Sequence, residues 1–173
     1  MSKAFTREDD ASETEMAIPR MPLPPGVPNY LTSDGAAHLN ARLTKLQEER
    51  RRLQVDREEN ENLEALRRIS GQIQEISRIL TSATVVSPSE ESTSEIRFGA
   101  FVTLLDGSGV TEEYRIVGVD EVDIGQGWIS WRSPLARILL GKTAGQVVQL
   151  QTIAGARDLT IRSVRYGASQ PLN

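Results

Sequence analysis

Residues 39–80 read LNARLTKLQEERRRLQVDREENENLEALRRISGQIQEISRIL, and this stretch decides the fold. Its apolar residues recur at alternating steps of three and four, the spacing that places a narrow apolar seam along an α-helix. The first run of the seam contains Leu39, Leu43, Leu46 and Leu53, with Arg50 at the remaining seam position. The second run contains Leu66, Ile69, Ile73, Ile76 and Leu80. The repeat therefore predicts two amphipathic helices in succession.

An antiparallel arrangement of the two runs brings their seam positions opposite one another. The paired positions are 39 with 80, 43 with 76, 46 with 73, 50 with 69 and 53 with 66. Because all five pairs fit one antiparallel register, the pattern predicts a helical hairpin that folds between Glu59 and Asn60. Its first helix runs from about Asp34 to Val55, and its second ends near Ser82. A coiled-coil arm for dimerisation is a second interpretation of the same pattern.

Length and composition limit the possible classes of protein. The 173-residue chain has room for one ordinary domain and an appendage. Its net charge of −4 argues against a protein that binds duplex DNA through a broad basic face. The absence of cysteine excludes disulfides, thiolate catalysis and cysteine metal sites. No apolar run approaches the about 18 residues of a membrane span, so we expect a soluble, cytoplasmic protein that does not contact membranes.

Composition divides the chain into five segments. They are a disordered acidic and proline-rich leader (residues 1–29), the helical hairpin (30–86), a linker (87–96), a folded domain (97–167) and a tail (168–173). The leader holds five of the eight prolines between Pro19 and Pro28, which favours extended backbone over helix. Such a segment cannot bury enough apolar surface to order itself. Serine, proline and glutamate dominate residues 87–94, a composition typical of linkers.

The folded domain shows the pattern of a small sheet with one short helix. Predicted strands cover residues 98–105, 113–119, 127–131, 146–152 and 158–166. The sequence DGSG at residues 106–109 predicts a hairpin turn between the first two strands. Ser133 and Pro134 predict the start of the helix, with Ser133 as its cap, and Gly141 ends it. The predicted class is therefore α+β, an antiparallel helical hairpin followed by an antiparallel sheet domain.

Side chains suited to catalysis or metal binding are scarce. The only histidine, His38, cannot by itself form a Ser-His-Asp triad or a metal site built from several histidines. Phosphate-binding loops of the GxxxxGK[ST] type are absent. The predicted hairpin tip, residues 56–62 (DREENEN), carries four carboxylates and no apolar residue. Asp56 and Glu59 can share a hard divalent cation such as Mg²⁺, and a solvated polar turn is the alternative interpretation.

Several motifs that follow the hairpin resemble one known family. The motifs are FGAFV (residues 98–102), YRIVGVDE (114–121), IS (129–130) and SPLARILLGK (133–142). Together they resemble the GreA/GreB family of transcript-cleavage and elongation factors, over residues 30–166. The chain is most similar to a GreB-like member with a shortened coiled-coil hairpin.

The resemblance implies a fold, a partner and a set of functional residues. The sheet domain is expected to be FKBP-like and to dock on bacterial RNA polymerase at the rim of its secondary channel. Arg132, Ser133 and Pro134 are the expected docking residues. The hairpin is expected to enter the channel, where Asp56 and Glu59 of the Asp-x-x-Glu-Asn motif help to hold a second Mg²⁺ shared with the polymerase.

The resemblance also implies that the chain is not itself an enzyme. It is expected to be a cytoplasmic monomer that stimulates the polymerase's own cleavage of backtracked RNA and meets nucleic acid only within the elongation complex. Two departures from the family pattern bear on this expectation. The hairpin is shorter by about one heptad in each arm, and Arg132 stands where the family commonly has Asp or Asn.

Three functions therefore remain open. The chain is a Gre-like elongation factor that stimulates cleavage, a shortened Gre-like regulator that occupies the channel without cleaving, or an FKBP-like folding module with a helical dimerisation arm. The acidic tip favours the first function, and the short hairpin favours the second. Resemblance of fold alone supports the third, and fold does not determine function.

Overall fold

The structure, a computed structural model, describes residues 23–55, 61–87, 94–153 and 155–167. Its elements are, in chain order, β1 (Asn29–Thr32), α1 (Ser33–Val55), α2 (Glu61–Ser82), β2 (Ala83–Val86), β3 (Phe101–Asp106), β4 (Thr111–Val117), β5 (Trp128–Ser130), α3 (Pro134–Leu139), β6 (Val147–Thr152) and β7 (Gly155–Arg165). None of the helices in the described ranges has an apolar stretch long enough to span a membrane. The predicted Mg²⁺ ligands Asp56 and Glu59 lie outside these ranges, as do residues 1–22 of the leader and the tail.

Helices α1 and α2 pack along the predicted seam and form the expected hairpin. The buried seam residues are Leu39 and Leu46 of α1 and Ile69, Ile73 and Ile76 of α2. The seam widens at the base of the hairpin, where Leu31 of β1 and Ala36 of α1 join the same cluster. Ile79, which the repeat does not include, is therefore buried there, while Leu80 is half-buried.

A two-stranded sheet closes the base of the hairpin. Strands β1 and β2 pair in parallel, with Asn29 opposite Ala83 and Thr32 opposite Val86. Asn29, the last residue of the predicted leader, is buried in this sheet. The sequence predicts only a helix entry here, because two strands of four residues are too short to show a clear alternation. Thr32 caps the start of α1, since its hydroxyl accepts a hydrogen bond from Gly35 N at 3.0 Å.

The remaining strands form a five-stranded sheet in the order β5-β4-β3-β7-β6, and the α+β architecture is confirmed. Strand β3 pairs antiparallel with β4 and β7, and β6 pairs antiparallel with β7. The prediction of an entirely antiparallel sheet is wrong at one edge, because β4 and β5 are parallel, with Ile116 opposite Ile129. Parallel neighbours need a connection that returns to the starting end of the first strand. Residues 118–127 make this connection, and Gly127 O accepts a hydrogen bond from Arg115 N at 3.0 Å.

Helix α3 packs on the five-stranded sheet and completes a core separate from that of the hairpin. The buried residues of this core are Ile96, Ala100, Val102, Leu104, Ile116, Ala136, Leu139, Val148, Leu159 and Ile161. Ile96, which composition assigns to the linker, donates its amide to Lys142 O at 2.7 Å and accepts from Gly141 N at 2.8 Å. Ile96 therefore belongs to the sheet domain. Residues 88–93 of the predicted linker lie outside the described ranges.

Candidate functional site

The three predicted docking residues lie in the turn between β5 and α3, which we call the docking turn (residues 131–134). Ser133 is the cap of α3, and its hydroxyl accepts a hydrogen bond from Ala136 N at 3.1 Å. Its own amide donates to Ser130 O at 2.8 Å. The amide of Arg132 donates to the Ser130 hydroxyl at 3.1 Å. These bonds fix the backbone of the turn before any partner is present.

The side chains of the docking turn differ in what they do. Pro134 is exposed at the first position of α3, where its ring fits a helix start and its missing N–H leaves no bond unmade. Arg132 is half-buried, and its guanidinium makes no hydrogen bond or ion pair with any part of the chain that the structure describes. Ser133, by contrast, is occupied as a helix cap. Arg132 and Pro134 are thus the two side chains of this turn that remain available for a partner.

An aromatic contact joins the docking turn to the base of the hairpin. The ring of Trp131 lies 5.6 Å from the ring of Tyr30 in β1, at an angle of 60°. Tyr30 also contacts Phe98, with 5.7 Å between ring centres. The Trp131 amide donates to Val117 O at 2.9 Å, which continues the β4–β5 pairing into the turn. The docking turn therefore lies beside the point where the hairpin leaves the sheet domain.

A buried carboxylate forms the centre of this junction. Glu121 follows β4, and its Oε2 accepts hydrogen bonds from Thr32 N and from Gly118 N, each at 2.9 Å. Its Oε1 accepts a hydrogen bond from the Thr32 hydroxyl. The side chain is only 9% exposed. Glu121 therefore joins Thr32, the last residue before α1, to the loop after β4, a role that sequence reasoning missed.

Glycine makes the close approach at this junction possible. A Cβ atom at Gly35 would overlap the Glu121 carboxylate, and one at Gly118 would overlap the carbonyl oxygen of Tyr30. Both positions lie within the contact between the hairpin base and the sheet domain. The sequence does contain Gly35 in the first turn of a helix and Glu121 shortly after a strand. Nothing in the sequence, however, indicates that these two residues are in contact.

A second set of polar contacts joins the hairpin to the sheet domain near Glu121. Arg115 Nη2 lies 2.7 Å from Asp34 Oδ2 in the first turn of α1. Asn29 Nδ2 donates to Asp120 Oδ2 at 2.9 Å. Asp34 lies in the first turn of α1, where its carboxylate is favourably placed at the positive end of the helix dipole. The structure adds a partner from β4, so the same carboxylate also holds the two halves of the chain together.

Residues 56–60 of the hairpin tip, which include both predicted metal ligands, lie outside the described residues. Among the described residues, no group of three or more Asp, Glu, His or Cys side chains is placed to hold a metal ion. At the described ends of the two helices, Val55 and Leu63 are exposed, at 76% and 54%. The assignment of Asp56 and Glu59 as ligands therefore stays a prediction.

Comparison with known proteins adds evidence independent of this geometry. Residues 91–166 match the family model described as the C-terminal domain of transcription elongation factor GreA/GreB. Transcription elongation factor GreA of Acidiphilium cryptum is 37% identical over 152 residues, which cover 79% of this chain and 97% of that protein. Transcription elongation factor GreB of Neisseria meningitidis is 42% identical over 102 residues, covering 58% of this chain and 63% of that protein.

A solved structure is also similar in sequence. GreA factor homologue 1 of Thermus thermophilus is 26% identical over 80% of this chain and 99% of its own, with a TM-score of 0.39. That score is too low to support an argument about shape, so the sequence relation carries the assignment. Because 37% identity extends across nearly the whole of a relative, the chain belongs to the GreA/GreB family of transcription elongation factors.

Proposed function

We propose that this family member regulates transcription elongation by binding bacterial RNA polymerase at the rim of its secondary channel. The sheet domain docks through the docking turn, and the hairpin enters the channel. The protein acts as a cytoplasmic monomer, has no catalytic centre of its own and meets nucleic acid only within the elongation complex. The observation that carries the proposal is a fixed, partly exposed docking turn beside the base of a stiff helical hairpin.

The docking turn has the physical properties of a binding surface. Its backbone amides already donate hydrogen bonds to Ser130, and Ser133 caps α3, so binding costs little additional ordering. Arginine and tryptophan are enriched among the residues that dominate binding energy, and Arg132 adjoins Trp131. The guanidinium of Arg132 is not used within the described chain, so it can pair with a carboxylate of the partner.

The docking proposal is tested with the double variant Arg132→Asp and Pro134→Asn. We expect about a tenfold or greater loss of affinity for RNA polymerase, since a charge reversal at a hot-spot arginine costs at least about 1–2 kcal/mol. The matched control is Arg162→Asp, which reverses an exposed arginine on β7 of the same domain. Unchanged affinity in the double variant, with far-UV circular dichroism intact, would place the docking surface elsewhere.

Inside the channel, the hairpin tip would bring Asp56 and Glu59 towards the polymerase active site. Carboxylate oxygens are the ligands that Mg²⁺ prefers, and Mg²⁺ keeps several waters when a protein supplies only one or two carboxylates. These two residues would thus hold a Mg²⁺ ion jointly with the polymerase. The ion would stabilise charge on an oxygen at the RNA cleavage site, and the polymerase would carry out the reaction.

The length of the hairpin favours a second function for the same binding mode. Helix α1 has 23 residues and is therefore about 34 Å long. An arm that stops short of the active site occupies the channel and changes elongation without causing cleavage. A stalled, backtracked elongation complex separates the two functions when it is incubated with the purified protein and Mg²⁺. Release of short 3′ RNA fragments supports cleavage, whereas altered elongation without fragments supports occupancy of the channel.

A further inference from the structure

We propose that Glu121 is a positioning residue that fixes the direction in which the helical hairpin leaves the sheet domain. Its carboxylate lies on the first turn of α1 and is held at the same time by the loop that follows β4. The proposed role concerns orientation and does not require that Glu121 touch the polymerase or RNA. Its consequence for elongation rests on the proposed function, but the orientation itself can be measured on the free protein.

Glu121 accepts all of its hydrogen bonds in this junction. Thr32 N and Gly118 N both donate to Oε2. The Thr32 hydroxyl accepts from Gly35 N, so its own proton is free to point at Oε1 of Glu121. Both carboxylate oxygens therefore receive protons, and two of the three donors, the amide and the hydroxyl of Thr32, belong to the residue at the start of the hairpin. An ionised carboxylate at a helix N-terminus also interacts favourably with the helix dipole.

Loss of Glu121 is expected to change orientation more than folding. The sheet domain and the hairpin each have their own buried core, and Glu121 belongs to neither. Other contacts between the two halves remain, including the Arg115–Asp34 pair and the Tyr30–Trp131 contact. Glu121 bonds to the backbone amide of Thr32, the residue immediately before α1.

Because the hairpin is long, a small rotation at its base causes a large displacement at its tip. A rotation of about 10° at the base moves the far end of the 23-residue helix α1, about 34 Å away, by about 6 Å. Chemistry in a polymerase channel depends on placement to within about 1 Å. A loosened junction would therefore misplace the hairpin tip even though both halves remain folded.

The absence of cysteine allows a direct test by spin labelling. Gln54→Cys on α1 and Arg162→Cys on β7 place labels at two exposed positions on the two halves. Double electron–electron resonance then measures the distance distribution between them. We expect one narrow peak for the otherwise unchanged protein and a clearly broader distribution for Glu121→Ala. The control Glu48→Ala removes an exposed acid from α1 and should leave the peak narrow.

Rescue by a conservative variant separates positioning from a general loss of stability. In Glu121→Gln, the carbonyl oxygen can still accept from the two backbone amides, and the side-chain amide can donate to the Thr32 hydroxyl. This variant should recover most of the narrow peak. If Glu121→Ala loses helix content, Thr32→Val replaces it, because that change removes the hydroxyl donor but keeps the backbone amide. The proposal fails if Glu121→Ala, or Thr32→Val in its place, gives the same distribution as the unchanged protein.

A polymerase assay distinguishes this failure from failure of the proposed function. In elongation complexes, Glu121→Ala should lose most of the wild-type effect on elongation, and Glu121→Gln should restore it. If the wild-type protein does not bind polymerase, the proposed function is wrong, while the distance measurement still decides the role of Glu121. If Glu121→Ala broadens the distance distribution yet keeps the full effect on elongation, the hairpin direction does not matter for function, and that consequence of the proposal is overturned.

Discussion

The guanidinium of Arg115 in β4 lies 2.7 Å from the carboxylate of Asp34 in the first turn of α1. Arg115 is almost fully buried, with 3% of its side chain exposed, whereas half of the Asp34 side chain is exposed. The guanidinium carbon also lies 4.6 Å from the ring centre of Phe101 and 5.2 Å from that of Trp128. Asp34 therefore interacts with a cation whose position is fixed by aromatic packing, and with the positive end of α1.

The first prediction concerns this ion pair. Asp34→Asn keeps the size of the side chain and removes its charge, so a charge-assisted hydrogen bond is weakened and the helix start loses an anion. We expect the free energy of unfolding to fall by about 1–2 kcal/mol. The loss is no larger because the Asp34 side chain is half-exposed, so that solvent screens its charge. Urea unfolding followed by circular dichroism measures it. Glu48→Gln, an exposed acid on the same helix, is the control, and equal losses in both variants would contradict the assigned role of Asp34.

The second prediction concerns the seam of the hairpin. Leu46 is 9% exposed and lies in the buried cluster between α1 and α2. Leu46→Asp places an unpaired carboxylate there, which should cost several kcal/mol, about 3–5 by analogy with other buried apolar residues. The helical signal in circular dichroism should fall while the sheet domain stays folded. Lys45→Asp alters the exposed neighbouring residue and should keep the helical signal. Unchanged helix content in Leu46→Asp would disprove the seam.

The hairpin was predictable because the apolar repeat that specifies it lies within one continuous stretch of sequence. A repeat from Leu39 to Leu80 specifies both helices and their pairing, and the observed helices follow the predicted bounds closely. The cap of α3 was predictable for the same reason, since Ser133 and Pro134 are adjacent in sequence. The parallel pairing of β1 with β2 joins residues 54 positions apart, and neither strand is long enough to show a period.

The junction at Glu121 was not predictable from sequence for a related physical reason. Thr32 and Glu121 are separated by 89 residues, so no local pattern in the sequence links them. A single acidic residue after a strand usually indicates a solvated loop, because buried carboxylates are rare. The position of β5 was predicted correctly, but its parallel direction was not, since that direction depends on the path of residues 118–127 and not on the three residues of the strand.

The third prediction separates the structural role of Ser133 from docking. Its hydroxyl accepts from Ala136 N, so Ser133→Ala leaves that amide without its cap. We expect the sheet domain to lose about 1 kcal/mol of stability. Ser133→Asp retains a capping oxygen and should recover most of that loss. Thermal unfolding of the two variants measures the difference. If Ser133→Ala is as stable as the unchanged protein, the cap contributes nothing and the residue is free for binding.

The fourth prediction concerns the turn between β3 and β4. The hydroxyl of Ser108 donates to Asp106 Oδ1 at 2.6 Å, and Val110 N donates to the same oxygen at 3.0 Å. Chiefly through the Ser108 hydroxyl, these bonds lower the pKa of Asp106 from 3.8 to about 2. Because the folded-state pKa is depressed, the stabilisation is present above pH 3.8 and is lost as the pH falls towards 2.

Ser108→Ala tests this cause by removing the largest contribution. The pKa of Asp106 should rise towards 3.8 in that variant, as measured by NMR titration of its carboxyl carbon. Ser163→Ala removes a hydroxyl from β7 that bonds to Thr103 instead, and should leave the pKa of Asp106 low. An unchanged pKa in Ser108→Ala would show that the backbone amides and Arg157 are sufficient.

The last prediction concerns the hairpin tip. Four carboxylates within residues 56–61 repel one another, and only Arg57 among these residues offsets them. Folding of the hairpin does not require such a concentration of charge, but a shared cation would relieve it. The double variant Asp56→Asn and Glu59→Gln preserves the shapes of both side chains and removes both charges. In a backtracked elongation complex, we expect it to bind polymerase as the wild type does, while the fragment release that the wild type stimulates falls to the polymerase's own rate.

Equal fragment release by the wild type and the double variant would contradict the assignment of Asp56 and Glu59 as metal ligands. If the wild type releases no fragments at any Mg²⁺ concentration, stimulation of cleavage is excluded. The effect of the double variant on elongation is then compared with that of the wild type. A weaker effect would show that the charge of the tip contributes to occupying the channel.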